Sequence, residues 1–221
     1  MEERKLLKHV DHTLLNVTGT EAEYFVLCDE GMKYEVASVC IPPSRVESCV
    51  KYVKGKLPIC TVVGFPNGYA DSQAKANEAK IAIKQGAAEI DMVVDIGKVK
   101  DGNFDAVLSD IKQVRAATEG YILKVIIEAT LLTQEEKIKL CQIVGDSGAD
   151  YIKTSTGFAG GGATFDDVEL LRKHSPSHVK VKAAGGISSL EDATRFIELG
   201  ADRLGTSRIV KLVQGMQGEG Y

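Results

Sequence analysis

The sequence predicts an α/β fold, a single closed (β/α)8 TIM barrel over all 221 residues. Three observations carry that expectation. Eight short β-rich runs, at 10–14, 35–41, 59–63, 89–94, 123–128, 151–154, 179–183 and 203–205, alternate with amphipathic stretches. Most are apolar and near-continuous rather than alternating, as parallel strands covered on both faces read. A first G-x-G-x-x-G turn, expected of an open dinucleotide-binding sheet, is missing.

The punctuation between the runs agrees. Segments 71–85 and 134–144 carry helical periodicity. Thr133-x-x-Glu136 has capping-box spacing, in which hydroxyl and carboxylate each satisfy a free helix-end amide. Thr164-x-x-Asp167 and Ser189-x-x-Asp192 repeat the spacing. Gly86-Ala87-Ala88-Glu89, Gly148-Ala149-Asp150 and Gly200-Ala201-Asp202 each end a helix and enter a strand. Glycine takes the left-handed helix exit without a Cβ clash. No linker or low-complexity stretch divides the chain, so one domain is expected, with a flexible tail at about 215–221.

Composition narrows the function classes. Hydrophobic residues are 44% and charged residues 26% of the chain, which suits a soluble globular protein. A net charge of −4 argues against nonspecific nucleic-acid binding. No apolar run approaches the ~20 residues of a membrane span, and Met1-Glu2-Glu3-Arg4 begins nothing like a signal peptide. A soluble cytoplasmic protein without membrane partners is expected, with a homo-oligomer as the expected assembly. The five cysteines form no C-x-x-C and the four histidines lack ligand spacing, so neither a disulfide framework nor a metal site is expected.

Barrel enzymes hold their chemistry at the C-terminal strand ends. Polar residues embedded in apolar strands are therefore the candidates: Asp91 in the fourth run, Lys153 in the sixth and Lys182 in the seventh. An inward lysine is costly unless paired or working. Two of them on adjacent strands are expected to repel, lowering the pKa of one amine. A neutral amine can attack a carbonyl to form a Schiff base, and Asp91 could balance the remaining ammonium and relay protons. The spacing alone equally allows a structural Lys–Asp ion pair. Gly185-Gly186 after the seventh run and Gly205-Thr206-Ser207 after the eighth sit where such barrels bind phosphate, although ordinary turns use the same residues. Gly157 and Gly160-Gly161-Gly162 add a flexible loop after the sixth. Cys40 stands at a strand end and is either a pocket residue or a small buried hydrophobe.

Ile152-Lys153-Thr154-Ser155-Thr156-Gly157-Phe158 and Val181-Lys182-Ala183-Ala184-Gly185-Gly186-Ile187 resemble the two lysine motifs of the deoxyribose-phosphate aldolases. Asp11-His12-Thr13-Leu14, Val63-Gly64-Phe65-Pro66, Glu89-Ile90-Asp91-Met92-Val93, Lys124-Val125-Ile126-Ile127-Glu128 and Gly205-Thr206-Ser207 agree in order, from about residue 8 to the end. The resemblance implies a metal-free, cofactor-free class I aldolase that splits 2-deoxy-D-ribose 5-phosphate into acetaldehyde and D-glyceraldehyde 3-phosphate. It makes Lys153 the Schiff-base lysine, Lys182 the lysine that perturbs it, and Asp91 the proton-relay acid. It makes Gly157, Gly185, Gly186 and Ser207 phosphate contacts, and puts Thr13 and Thr156 near the sugar hydroxyls. It gives Tyr221 a part in proton transfer at the end of a mobile tail. The sequence departs from the pattern at Pro42, Asn67, Asp95 and Phe158, the last where some members carry a lysine near the phosphate. Another Schiff-base phosphosugar aldolase and a non-catalytic phosphosugar-binding barrel are the alternatives.

Overall fold

A computed structural model describes residues 2–215. The chain runs α1 (Glu3–Leu7), β1 (Val10–Thr13), α2 (Glu21–Lys33), β2 (Ser38–Ile41), a 3-10 turn at Pro43–Arg45, α3 (Val46–Val53), β3 (Ile59–Val63), α4 (Ser72–Lys84) and β4 (Glu89–Val93). It continues through α5 (Ile96–Lys100), α6 (Phe104–Ala117), β5 (Ile122–Ile126), a 3-10 turn at Ala129–Leu131, α7 (Gln134–Asp146) and β6 (Tyr151–Lys153). Last come α8 (Phe165–His174), β7 (Lys180–Ala184), α9 (Leu190–Glu198), β8 (Arg203–Thr206) and α10 (Ile209–Val213). All eight strands are parallel to their neighbours, and β8 closes on β1. The expected barrel is the fold observed.

Strand alternation gives the barrel two buried faces of opposite character. Ile90 and Met92 of β4, Leu123 and Val125 of β5, and Val181 and Ala183 of β7 are fully buried in the main apolar core, which the helices share. The alternate residues Asp91, Lys124 and Lys182 are also fully buried, but turn to the barrel axis and meet one another there.

The expected helix starts are present. Thr133 and Glu136 form a complete capping box, and Thr164 and Ser189 accept from the amides of Asp167 and Asp192. Thr20 and Glu23 form a second box that the sequence reading did not single out. The second run, expected from residue 35, becomes a strand only at Ser38. Glu35 lies in the left-handed region (φ 53°), and the Val36 amide reaches back to the Gly31 carbonyl. Residues 34–37 thus turn α2 into β2, and Val36 is apolar because it packs in the helix–strand core. No helix among the described residues is long and apolar enough to cross a membrane.

A separate ion pair ties the helical layer together. The Lys75 ammonium of α4 is sealed from solvent, 2.7 Å from Asp110 Oδ2 of α6 and 2.9 Å from the Val93 carbonyl at the end of β4. Removing one partner strands the other charge in an apolar layer, a loss of about 3–5 kcal/mol, whereas replacing both with apolar residues is far milder. Lys75→Met and Asp110→Leu are each expected to lower unfolding free energy by about that amount. The double variant should recover most of the loss, as read by urea denaturation.

Candidate active site

Register determines which charged groups meet. Asp91 is level with Lys124 of β5, Lys153 with Lys182 of β7, and Lys182 with Arg203 of β8. Neighbours at one level of a parallel sheet face the same side, so these groups share the barrel axis. Asp91 lies at the centre. Its Oδ1 accepts from Lys124 at 2.8 Å and from the Cys60 thiol at 3.2 Å. Its Oδ2 accepts from Lys153 at 2.8 Å and from Lys182 at 2.7 Å. Asp11 of β1 takes a second ion pair from Lys182 and hydrogen bonds from Ser38 (2.7 Å) and Arg203. Glu89 pairs with Lys124 at 2.6 Å and with Arg203 at 3.1 Å.

The energetics follow from the crowding. Burial pushes the Asp91 carboxyl upward, but the ammoniums of Lys124, Lys153 and Lys182 outweigh it and hold the carboxyl well below the usual range. Asp11 is lowered in the same way, burial being opposed by Lys182, Lys124 and Arg203. Burial alone would lower Lys182; Asp11 and Asp91 reverse the sign and raise it. Lys124 is likewise raised against burial, chiefly by Asp91.

Lys182 was expected to be the nearby cation that perturbs Lys153, with Asp91 balancing the remaining ammonium. Asp91 Oδ2 accepts from both amines, and Asp11 also holds Lys182 charged. Asp91 was expected to balance the ammoniums and relay protons; three lysines hold its carboxyl well below the usual carboxylate range, and its Oδ2 lies against both Lys153 and Lys182.

Above this network opens a cavity of about 300 Å³ at the C-terminal strand ends. Its wall includes Thr13, Lys153, Thr156, Gly157, Gly185, Gly186, Gly205 and Ser207, all anticipated from sequence. Asp91 and Lys182 lie beneath its floor, fully buried. Cys40 is also fully buried, among Leu15, Cys60 and Val62, and is not on the wall. Tyr221 lies outside the described residues. Gly185 and Gly186 both have positive φ (74° and 73°). A Cβ on Gly162 would come within 2.4 Å of the Gly185 carbonyl carbon, so this end of the cavity is made of closely approached backbone. Backbone of the Gly185-Gly186 turn, with Arg208 also on the wall, suits a phosphate.

Sequence reasoning missed Asp11, Glu89, Lys124 and Arg203 as members of the network, and Arg208 on the wall. The signal was available: Glu89 shares the parity of Asp91, and Lys124 is the lone charge inside Ile122–Ile126. Glu128 was also missed; its carboxylate accepts hydrogen bonds from Thr156.

Comparison with known proteins agrees with this geometry. The model of a family described as DeoC/LacD family aldolase matches residues 5–216. A deoxyribose-phosphate aldolase of Streptococcus agalactiae serotype Ia is 57% identical over 99% of this chain and 98% of its own. One from Streptococcus pyogenes serotype M4 is 58% identical over 97% and 96%. The solved deoxyribose phosphate aldolase of Aeropyrum pernix, described as a unique tetramer, superposes with a TM-score of 0.88 at 30% identity, covering 97% of this chain and 92% of that one.

The shifts fix a pH dependence. Carboxyls lowered by folding stabilise fully above their unfolded range near ~4 and lose that contribution as pH falls through the folded value. Lysines raised by folding stabilise fully below ~10.4 and lose it as pH rises. Unfolding free energy of the native sequence should therefore be flat near neutrality and fall steeply below about pH 4. Lys182→Met removes a counterion from both Asp11 and Asp91. It should start about 3–5 kcal/mol lower at pH 7 and lose less on acidification, because its carboxyls are less depressed. Parallel acid profiles of the two proteins would contradict the pairing.

Proposed function

The chain belongs to the DeoC/LacD family of aldolases, and from that membership we propose that it reversibly cleaves 2-deoxy-D-ribose 5-phosphate to D-glyceraldehyde 3-phosphate and acetaldehyde through a Schiff base on Lys153. One observation carries the choice of lysine. Of the three lysines in the axial network, Lys153 alone reaches the cavity, with a single carboxylate oxygen at 2.8 Å. Lys124 and Lys182 are sealed below it and each pairs with two or more acids. Four cations (Lys124, Lys153, Lys182, Arg203) are linked to three carboxylates (Asp11, Glu89, Asp91). Among these four, Lys153 pairs with one acid and the others with two or more.

The Lys153 amine attacks C1 of the open-chain aldehyde, and the carbinolamine loses water to give an iminium ion. The C3 hydroxyl gives up its proton, the C2–C3 bond breaks, and its electron pair enters the iminium to form an enamine. D-glyceraldehyde 3-phosphate leaves; protonation of the enamine carbon and hydrolysis release acetaldehyde and restore the amine. Asp91 Oδ2 touches both Lys153 and Lys182, and is the path by which a proton passes between them. Lys182, held charged by Asp11 and Asp91, places positive charge beside the forming imine. Phosphate binds at Gly185, Gly186 and Ser207, with Arg208 supplying charge. Cytoplasmic location and a homo-oligomer belong to the same reading; the tetrameric relative supports the latter.

Borohydride reduction with deoxyribose 5-phosphate, followed by peptide mass mapping, should place a two-carbon adduct on Lys153. Lys153→Arg keeps the charge and should abolish turnover by at least about a thousandfold while the protein stays folded. An adduct on Lys182 would exchange the two roles, and no adduct on either would favour a binding barrel. Tyr221→Phe should slow turnover and proton exchange on acetaldehyde together while leaving the Lys153 adduct intact. An unchanged exchange rate would remove Tyr221 from the mechanism.

A further inference from the structure

Glu128 has no place in the steps above, yet it is held at some cost. It is 3% exposed and lies at a left-handed φ of 50°, where L side chains are strained. Its two carboxylate oxygens each accept from the Thr156 amide, at 3.2 Å. The Thr156 hydroxyl also donates to Glu128 Oε2. Thr156 is 7% exposed and lines the cavity three residues beyond Lys153.

The hydroxyl inventory then closes. A threonine hydroxyl has one proton and two lone pairs. The proton of Thr156 is committed to Glu128, and one lone pair receives the Phe158 amide at 3.0 Å. One lone pair is left, and it can only accept. Thr13 is set the same way on the far side: its hydroxyl donates to the Asp11 carbonyl at 2.8 Å. The cavity thus asks for a proton donor between the lysine and the glycine turns. Of the acceptor aldehyde's groups, only a hydroxyl next to its carbonyl supplies one before the new bond forms.

Resting on the functional reading above, we infer that Glu128 sets substrate choice by fixing the polarity of Thr156. With the carboxylate in place, Thr156 takes a hydrogen bond from the hydroxyl of a 2-hydroxyaldehyde phosphate and rejects an isostere that cannot donate. Glu128 is a positioning residue: it acts through Thr156 and touches no reacting atom.

Glu128→Gln tests this because a side-chain amide can donate where a carboxylate cannot. With Thr156 accepting from the amide and from Phe158, its proton is turned toward the cavity and the demand for a donor is relaxed. The measurement is kcat/KM, with acetaldehyde as donor, for D-glyceraldehyde 3-phosphate against 2-fluoro-3-phosphonooxypropanal. Fluorine matches the hydroxyl in size but has no proton, and its effect on aldehyde reactivity is common to all variants. The native protein should prefer the hydroxyl substrate by about tenfold or more, the worth of one hydrogen bond to a buried acceptor. Glu128→Gln should reduce that preference to within about threefold. Should the Gln variant fail to fold, Thr156→Val must lose the preference and Thr156→Ser must keep it. A preference that survives in Glu128→Gln or Thr156→Val overturns the inference, as does an equal fall on both substrates. A native protein that turns over neither aldehyde overturns the functional reading instead.

Discussion

The interior of an eight-stranded barrel is just wide enough for side chains, so an inward charge must find its counterion across the axis or not be charged at all. That constraint organises this protein. Asp91 accepts from three lysines and a thiol, and each of those lysines except Lys153 reaches a second acid. A network of this kind gains little stability over apolar packing of equal volume, because desolvation consumes most of the Coulomb energy. What it provides is a fixed electrostatic setting in which one amine, at the upper edge of the network, meets the cavity.

The helical layer supplies what the axis does not. Strand residues facing outward form a continuous apolar core with the helices, and this burial stabilises the barrel. The strands can then carry charge on their other face without the fold depending on it. Lys75 and Asp110 repeat the logic in the outer layer, where a single pair bridges α4 and α6 beside the end of β4.

Much of this was legible in the sequence, and the limits have physical causes. Near-continuous apolar strands, capping spacings and Gly-Ala-acid exits gave the barrel, because each is a local signal. Parity within a strand pointed to Asp91 and Lys182. It could not show that Asp11 and Arg203 converge on them, since those residues belong to β1 and β8, which pair across the closure. The counterions of Lys182 were also out of reach: Asp11 and Asp91, which hold it charged, stand on β1 and β4. Residues 35–37 misled because Val36, apolar for packing a turn, reads like the start of a strand.

The division of labour within the cavity follows from the same geometry. Side chains that must be placed to a few tenths of an ångström stand on strands: Lys153 on β6, Lys182 on β7, Asp91 on β4. The end of the cavity proposed for phosphate is built from backbone where glycines permit close approach. The residue between these zones, Thr156, is on neither a strand nor a helix. A loop hydroxyl would be free to rotate and would present donor or acceptor indifferently. Glu128, from the end of the neighbouring strand, removes that freedom by holding both the amide and the hydroxyl of Thr156. A loop position thereby acquires the definition of a strand position, which is the condition for it to discriminate between substrates of equal size.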